Sequence, residues 1–306
     1  MDRPAAWDVV IIGAGMGGLA TAIWARRLGL TTLVLEQQRQ AGGQLTAIAG
    51  RIVDYPGLDL PEGGALAKRL VQQAAQAGAE LRLEDPALAV EASTLTVRSA
   101  RGQVRAGAVV LATGITARRL EVAGEEELYR HRLVRRPSHD LDWFRGKRVA
   151  VIGGGDRAAE NALLLAGVAA QVHLLHRGAQ LRARPALAGP LAAAPRVAVH
   201  LQTRVTGFTV RGGQVEVAAE QAGAPVALPV EAVCIYIGNR PNSQLVAGQV
   251  ELDAEGYIVT DRHGQSSQPG LYAVGDVCTQ PAFQSLATAS GQAMVVAKAI
   301  ALRNGG

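Results

Sequence analysis

The chain of 306 residues is poor in cysteine, lysine and aromatic residues, and it has no long uninterrupted apolar run. Each scarcity excludes something. Two cysteines, Cys234 and Cys278, far apart in sequence, make neither a disulfide scaffold nor a zinc framework, and no metal site is expected. No stretch approaches the roughly 18 apolar residues of a membrane span. The opening "MDRPAAWDVVIIG" carries Asp2 and no long apolar run before its first strand, so a signal peptide is not expected. These points predict a cytoplasmic protein of a reducing compartment. The formal charge of +5 favours an acidic partner, but only 4% of residues are aromatic and no nucleic-acid motif is present. Of 31 basic residues only Lys68, Lys147 and Lys298 are lysine, which reads as coding bias rather than function. The length, with 48% hydrophobic residues, suffices for about two domains.

What is present is a repeat. "DVVII" at 8–12 is an apolar strand, followed by "GAGMGG", a helical "LATAIWARRLG" and a second strand, "TTLVLE". G-x-G-x-x-G falls on Gly13, Gly15 and Gly18. The first glycine permits the turn, the second lets a pyrophosphate approach the backbone, and the third lets helix pack on strand. The helix N-terminus then offers N–H groups to phosphate. Glu36 closes the second strand, where a carboxylate can accept ribose hydroxyls. The unit returns at an offset of 140 residues in "RVAVIGGGDRAAENALLLAGVAAQVHLLHR", with Gly153, Gly155 and Ala158 at the three glycine positions. Adding 140 to Glu36 gives His176, followed by Arg177, with Arg182 and Arg184 shortly after. An acid there would repel a ribose 2′-phosphate, whereas Arg and His would attract one. The first copy therefore suits an unphosphorylated ribose, as in FAD. The second suits NADP(H) better than NAD(H), unless these arginines only solvate a loop.

The chain resembles the low-molecular-weight thioredoxin reductase family, including its ferredoxin(flavodoxin)–NADP reductase relatives. The glycine unit at 13–29 looks like the family's FAD motif, and "AGGQLT" at 41–46 with "DYPG" at 54–57 like its flavin-contacting segment. "VVLATG" at 109–114, "GGGDRAAENA" at 153–162, "HRGAQLRA" at 176–183, "IGNRPN" at 237–242 and "GLYAVGDV" at 270–277 follow in family order. The resemblance implies an α/β architecture of two three-layer ββα Rossmann-like dinucleotide-binding domains, the second inserted in the first. FAD would lie in 1–114 with 244–306, and NAD(P)H in 115–243. It also implies a homodimer whose domains rotate about short linkers. Beyond the glycine turns, it implies FAD contacts from Gly43, Gln44, Leu45, Asp54, Thr113, Gly114, Gly275 and Asp276.

The departures shape the expected function. Disulfide-reducing members carry C-x-x-C-D before the second glycine turn; ungapped alignment puts Arg136, His139 and Asp140 at those positions, and no cysteine occurs from 1 to 233. Exchange needs two thiols. Cys234, in "AVCIYIG", reads as a small buried hydrophobe, and Cys278 follows the Gly-Asp of the FAD motif. The family's H-R-R-x-x-x-R is "HRGAQLR" here, with Gly178 replacing the middle arginine. At the pyrimidine end of the flavin, Gln284 and Ser285 replace an Arg-Gln pair. The reading is an FAD-dependent NAD(P)H oxidoreductase that hands electrons directly to ferredoxin, flavodoxin, ferric iron or a small molecule. His139 and Asp140 are the candidate catalytic residues if they face the flavin, or ordinary surface if not. Arg118, Arg119, Arg130, His131, Arg132, Arg135 and Arg136 form either a docking patch for an acidic electron-transfer protein or a solvated hinge tempered by "GEEE" at 124–127. A nucleotide-independent, ferredoxin-linked flavoenzyme and a non-catalytic flavin sensor are the alternatives.

Overall fold

The computed structural model describes residues 6–48, 51–52, 55–137 and 140–304. Asp54 and His139 lie outside the described residues. Contacts divide the chain into two units, Met1–Thr116 with Arg240–Gly306, and Ala117–Asn239. The motifs alone place the crossings close by, at 114/115 and 243/244.

The first unit is built on β1 (Ala6–Ile12), α1 (Met16–Arg27), β2 (Thr32–Leu35), α2 (Gly63–Gln76), β3 (Glu80–Arg82), β4 (Ala87–Glu91), β5 (Thr96–Ser99) and β6 (Gly102–Leu111). Its sheet runs β3-β2-β1-β6-β5-β4. The ten-residue β6 serves two layers. Its first half pairs antiparallel with β5, while its apolar second half lies parallel beside β1. Parallel strands are apolar on both sides because both faces are covered. Val9 and Ile11 join a core under α1 and α2, and Val10 and Ile12 join a second core with Val90 and Val97 of the antiparallel meander. This gives a helix layer, a parallel layer and a meander layer.

The crossing strand β7 (Ile115–Ala117) leads to α3 (Glu125–Arg130) and the second unit. There β8 (Arg148–Ile152), α4 (Asp156–Ala166), β9 (Gln171–Leu175), α5 (Pro185–Ala193) and β10 (Val197–His200) precede a meander of β11 (Thr203–Arg211), β12 (Gln214–Gln221) and β13 (Ala224–Val230), and β14 (Ala232–Ile235) returns to the sheet. The parallel order is β10-β9-β8-β14. Alternation again splits the strand: Val149 and Val151 face α4 and α5, and Ala150 and Ile152 face the meander. The chain crosses back through β15 (Asn239–Pro241), adds β16 (Leu271–Ala273) beside the second half of β6, and ends in α6 (Leu286–Asn304). No helix among the described residues is long and apolar enough to cross a membrane.

Candidate functional site

In the first unit, the turn after β1 is held by backbone contacts that only glycine allows. Gly13 has φ +104°, and a Cβ there would lie 2.5 Å from the Ala112 carbonyl oxygen. A Cβ on Gly18 would enter the Gly13 carbonyl itself. Gly15 instead has nothing within 4 Å of its Cβ position, and no side chain caps α1 at this residue. The first turn of α1 is therefore left without a side-chain cap beside an uncrowded glycine, as a pyrophosphate site requires. Glu36 is 7% exposed; its Oε2 accepts the Ala14 N–H at 2.8 Å and its Oε1 the Gln38 N–H at 2.9 Å. Each oxygen keeps further acceptor capacity for a ribose hydroxyl.

The other expected residues of this unit converge on the turn. Gly42 N–H donates to the Ala14 carbonyl at 2.7 Å, and a Cβ on Gly43 would lie 3.1 Å from Gly15 Cα. Gln44 donates to Asp276 at 3.1 Å, and the Gly114 Cβ position is 3.8 Å from the same amide nitrogen. Val274 and Gly275 pack on Gly17. The chain thus brings residues 13–18, 36, 42–45, 114 and 275–276 together as a cradle whose small residues and open helix end fit a dinucleotide. Leu45 is buried in the core beneath it. Thr113 spends its hydroxyl on the Asn242 carbonyl at 2.7 Å. Ser285 takes the Thr288 N–H at 3.0 Å and so starts α6. Gln284 donates to the Thr279 carbonyl at 3.0 Å, and its Oε1 is buried with no hydrogen-bond partner among the described residues. Motif reasoning misses Gln292. It accepts the Gly275 N–H at 2.8 Å and donates to Thr279, fixing the turn that presents Asp276. Nothing in the spacing marks it.

The second unit repeats the plan. Gly153 has φ +148° and no room for a Cβ beside the Tyr236 carbonyl, Gly155 faces open space, and Ala158 is buried against Gly153. His176 is 6% exposed, and its ring lies flat where a Cβ of Gly154 would be. Its Nε2 would be 2.8 Å from a Cβ on Gly178. Burial, followed by the charge of Arg182, lowers the His176 pKa; a backbone hydrogen bond near Gln180 opposes this. In this structure the imidazole packs against the glycine turn. Arg184 pairs at the surface with Asp156 and Glu160. A cavity of about 790 Å³ opens beside this turn, lined by Gly153, Gly154, His176, Arg177 and Arg182 together with residues of the meander.

The segment 118–148 is less basic than its composition suggests. Arg119 pairs with Glu126 and Arg130 with Glu127, both at the surface. Arg135 and Lys147 lie over the Trp143 ring at 4.1 and 4.0 Å. Arg132 and Arg136 are exposed. Asp140 is exposed, and its Oδ1 accepts the Trp143 N–H at 3.1 Å. Both cysteines are free. Cys234 is fully buried on β14, and burial drives its thiol pKa far up. Burial also pushes the Cys278 thiol up to about 12, with its Sγ toward the Gly275 carbonyl. Neither forms a thiolate readily.

The profile of the pyridine nucleotide-disulphide oxidoreductase family matches residues 7–293. An NADPH-dependent thioredoxin reductase 3 of Arabidopsis thaliana is 36% identical over 303 residues, which are 95% of this chain and 57% of that protein. The chain thus spans little more than half of that curated relative. The thioredoxin reductase of Treponema pallidum is 33% identical over 301 residues, 96% of each chain. The crystal structure of Lactococcus lactis thioredoxin reductase superposes with a TM-score of 0.80 at 27% identity, covering 97% of this chain and 99% of that one. Homologues of this kind use FAD and NADPH.

Proposed function

Because the chain belongs to the pyridine nucleotide-disulphide oxidoreductase family, we propose that it is an FAD-dependent NAD(P)H oxidoreductase that works without a redox-active dithiol. One observation carries this reading. The sequence has no cysteine before Cys234; Cys234 is buried, Cys278 is half-buried with its thiol pKa raised, and the two belong to different units. A disulfide relay needs an accessible thiolate and a resolving thiol, and neither residue offers one. When bound, the two cofactors supply hydride transfer from nicotinamide to flavin, and the protein supplies binding and orientation.

The residues divide that work. Met16, Gly17 and Gly18 would direct backbone N–H groups at the FAD pyrophosphate, Glu36 would receive ribose hydroxyls, and Asp276 would receive the ribityl chain from a position fixed by Gln44 and Gln292. The orphaned Gln284 Oε1 is an acceptor suited to an N–H of the flavin. The turn at Gly153–Gly155 would hold the NAD(P)H pyrophosphate, with Arg177 and Arg182 toward the adenosine ribose. Asp140, and His139 beside it in sequence, are the candidates to hold or move a proton near the flavin. Electrons would leave directly to an acceptor: an acidic protein such as ferredoxin or flavodoxin, ferric iron or a small molecule. Arg132 and Arg136 are the exposed cations left to receive an acidic partner. The protein would act as a homodimer in the cytoplasm.

Anaerobic mixing of the flavin-loaded protein with NADPH and with NADH tests the reading. Bleaching of the flavin band by either nucleotide is expected, followed by reoxidation on adding a dithiol-independent acceptor. No bleaching with both would overturn it and leave a flavoprotein reduced by another donor.

A further inference from the structure

The cavity of the second unit is unusually cationic for its size. Five arginines line it, Arg118, Arg119, Arg177, Arg182 and Arg204, against one carboxylate, Glu220. Two of the five are spent. Arg119 pairs with Glu126 and stacks on Tyr129, and Arg118 donates to the Asn239 carbonyl at 3.1 Å. Among the described residues, Arg177, Arg182 and Arg204 have no ion pair and are exposed. Arg204 sits opposite Glu220 in the β11–β12 register, yet the two are not within ion-pair distance. Three unspent guanidiniums around one pocket suit a dianion.

Arg204 is fixed at the rim by backbone, not by chance of a long side chain. The Gln202 N–H donates to the Gly178 carbonyl at 3.0 Å, and the Thr203 N–H to the His176 carbonyl at 2.9 Å. These bonds tie the start of β11 to the loop after β9. Thr203 is buried, so alternation turns Arg204 outward on the cavity side. The loop adds Arg177 and Arg182, but position 178 between them cannot carry a third cation. His176 is buried, which lowers its pKa, and a side chain at 178 would collide with its Nε2, as one at 154 would with the ring.

We propose that Arg204 is a specificity-determining residue for nucleotides bearing a 2′-phosphate on the adenosine ribose, supplying from β11 the cation that position 178 cannot. This rests on the NAD(P)H reading above. NADPH and NADH differ only in that phosphate, so a guanidinium reaching it discriminates between them, while one that merely solvates the rim does not.

The test is the dissociation constant of NADPH and of NADH for the flavin-loaded wild type, Arg204→Ala, Arg204→Lys and Arg211→Ala, the last an exposed arginine at the far end of β11 outside the cavity lining. Arg204→Ala should weaken NADPH about tenfold and leave NADH within about twofold, as expected for one charge-assisted bond to phosphate. Arg204→Lys should recover part of the loss, and Arg211→Ala should change neither. An unchanged NADPH-to-NADH ratio in Arg204→Ala, or a wild type that binds both equally, overturns the proposal while leaving nucleotide use intact. A wild type that binds neither nucleotide overturns the NAD(P)H reading and this proposal with it.

Discussion

The two glycine turns follow one plan and finish it with different chemistry. In each, the first glycine donates its N–H to the end of the second strand, Gly13 to Leu35 and Gly153 to Leu175. In each, the next residue is touched by the side chain that ends that strand. Glu36 accepts the Ala14 N–H through a carboxylate oxygen, whereas the His176 ring lies over Gly154. The third member follows: Gln38 donates its N–H to Glu36, and Gly178 leaves room for the imidazole. The triplet 14, 36, 38 thus becomes 154, 176, 178 at the same offset of 140. The difference teaches that the residue ending the second strand is a latch on the turn before it is a ligand. A carboxylate latches by hydrogen bonds and keeps acceptor capacity for hydroxyls. A buried imidazole latches by packing, so the loops around it must supply the charge for phosphate.

This comparison can be broken at graded cost. The largest effect is expected at Gly18, where alanine drives a methyl group into the Gly13 carbonyl. Gly18→Ala should cost about 3 kcal/mol or more and release flavin, seen together in a thermal melt and the flavin-to-protein ratio. Ala158 already fills the equivalent place in the second copy. Glu36→Ala should come next, about 2 kcal/mol, because it strands the buried Ala14 N–H. Gly154→Ala should cost about 1–3 kcal/mol, since the methyl group must displace the His176 ring. Gly155→Ala is the control, with open space at its Cβ: it should melt nearly as wild type while weakening nucleotide binding. If Gly154→Ala proved as silent as Gly155→Ala, the packing latch would be wrong.

A smaller effect is set by pH. His173, His176 and His200 all belong to the second unit, and burial is the first cause that lowers each from its ordinary value near 6.5. His173 and His200 also face each other, Nδ1 to Nε2, at 3.1 Å, near Arg148. Their folded pKa values lie below the unfolded ones, so between the two the unfolded chain binds more protons. Their contribution is therefore complete above pH 6.5 and is lost as pH falls through that value, levelling below the folded pKa values. Urea unfolding at pH 7.5 and 5.5 should show the loss, and His173→Gln with His200→Gln should reduce it. The smallest effect is expected from Glu220→Gln, which removes the only carboxylate among the described residues of the cavity lining and should tighten NADPH by about two- to threefold without altering NADH.

Much of this is legible in the amino-acid sequence. The glycine spacings, the apolar strands and the offset of 140 specify two strand–turn–helix–strand units, because glycine at 13, 18 and 153 answers a local backbone demand that spacing records. The offset also contains the clue that Ala14 becomes Gly154. What spacing does not record are contacts set by sheet register and chain return. Arg204 reaches the cavity only because β11 hydrogen-bonds to the loop some 25 residues earlier, Thr203 to His176 and Gln202 to Gly178. Gln292 reaches Gly275 from within α6. The basic look of 118–136 is reduced by local pairing instead, since Arg119 and Arg130 find carboxylates on α3 within seven residues.

The central claim is that electrons leave the flavin without a dithiol, and its most direct measurement is the reductive capacity of the flavin-loaded protein. Anaerobic titration with dithionite, followed at the flavin band and to the endpoint of excess reductant, counts electrons per FAD. A flavin acting alone takes up one two-electron equivalent, and that endpoint is expected here. Uptake of two equivalents per flavin would reveal a second, disulfide-like acceptor and contradict the account.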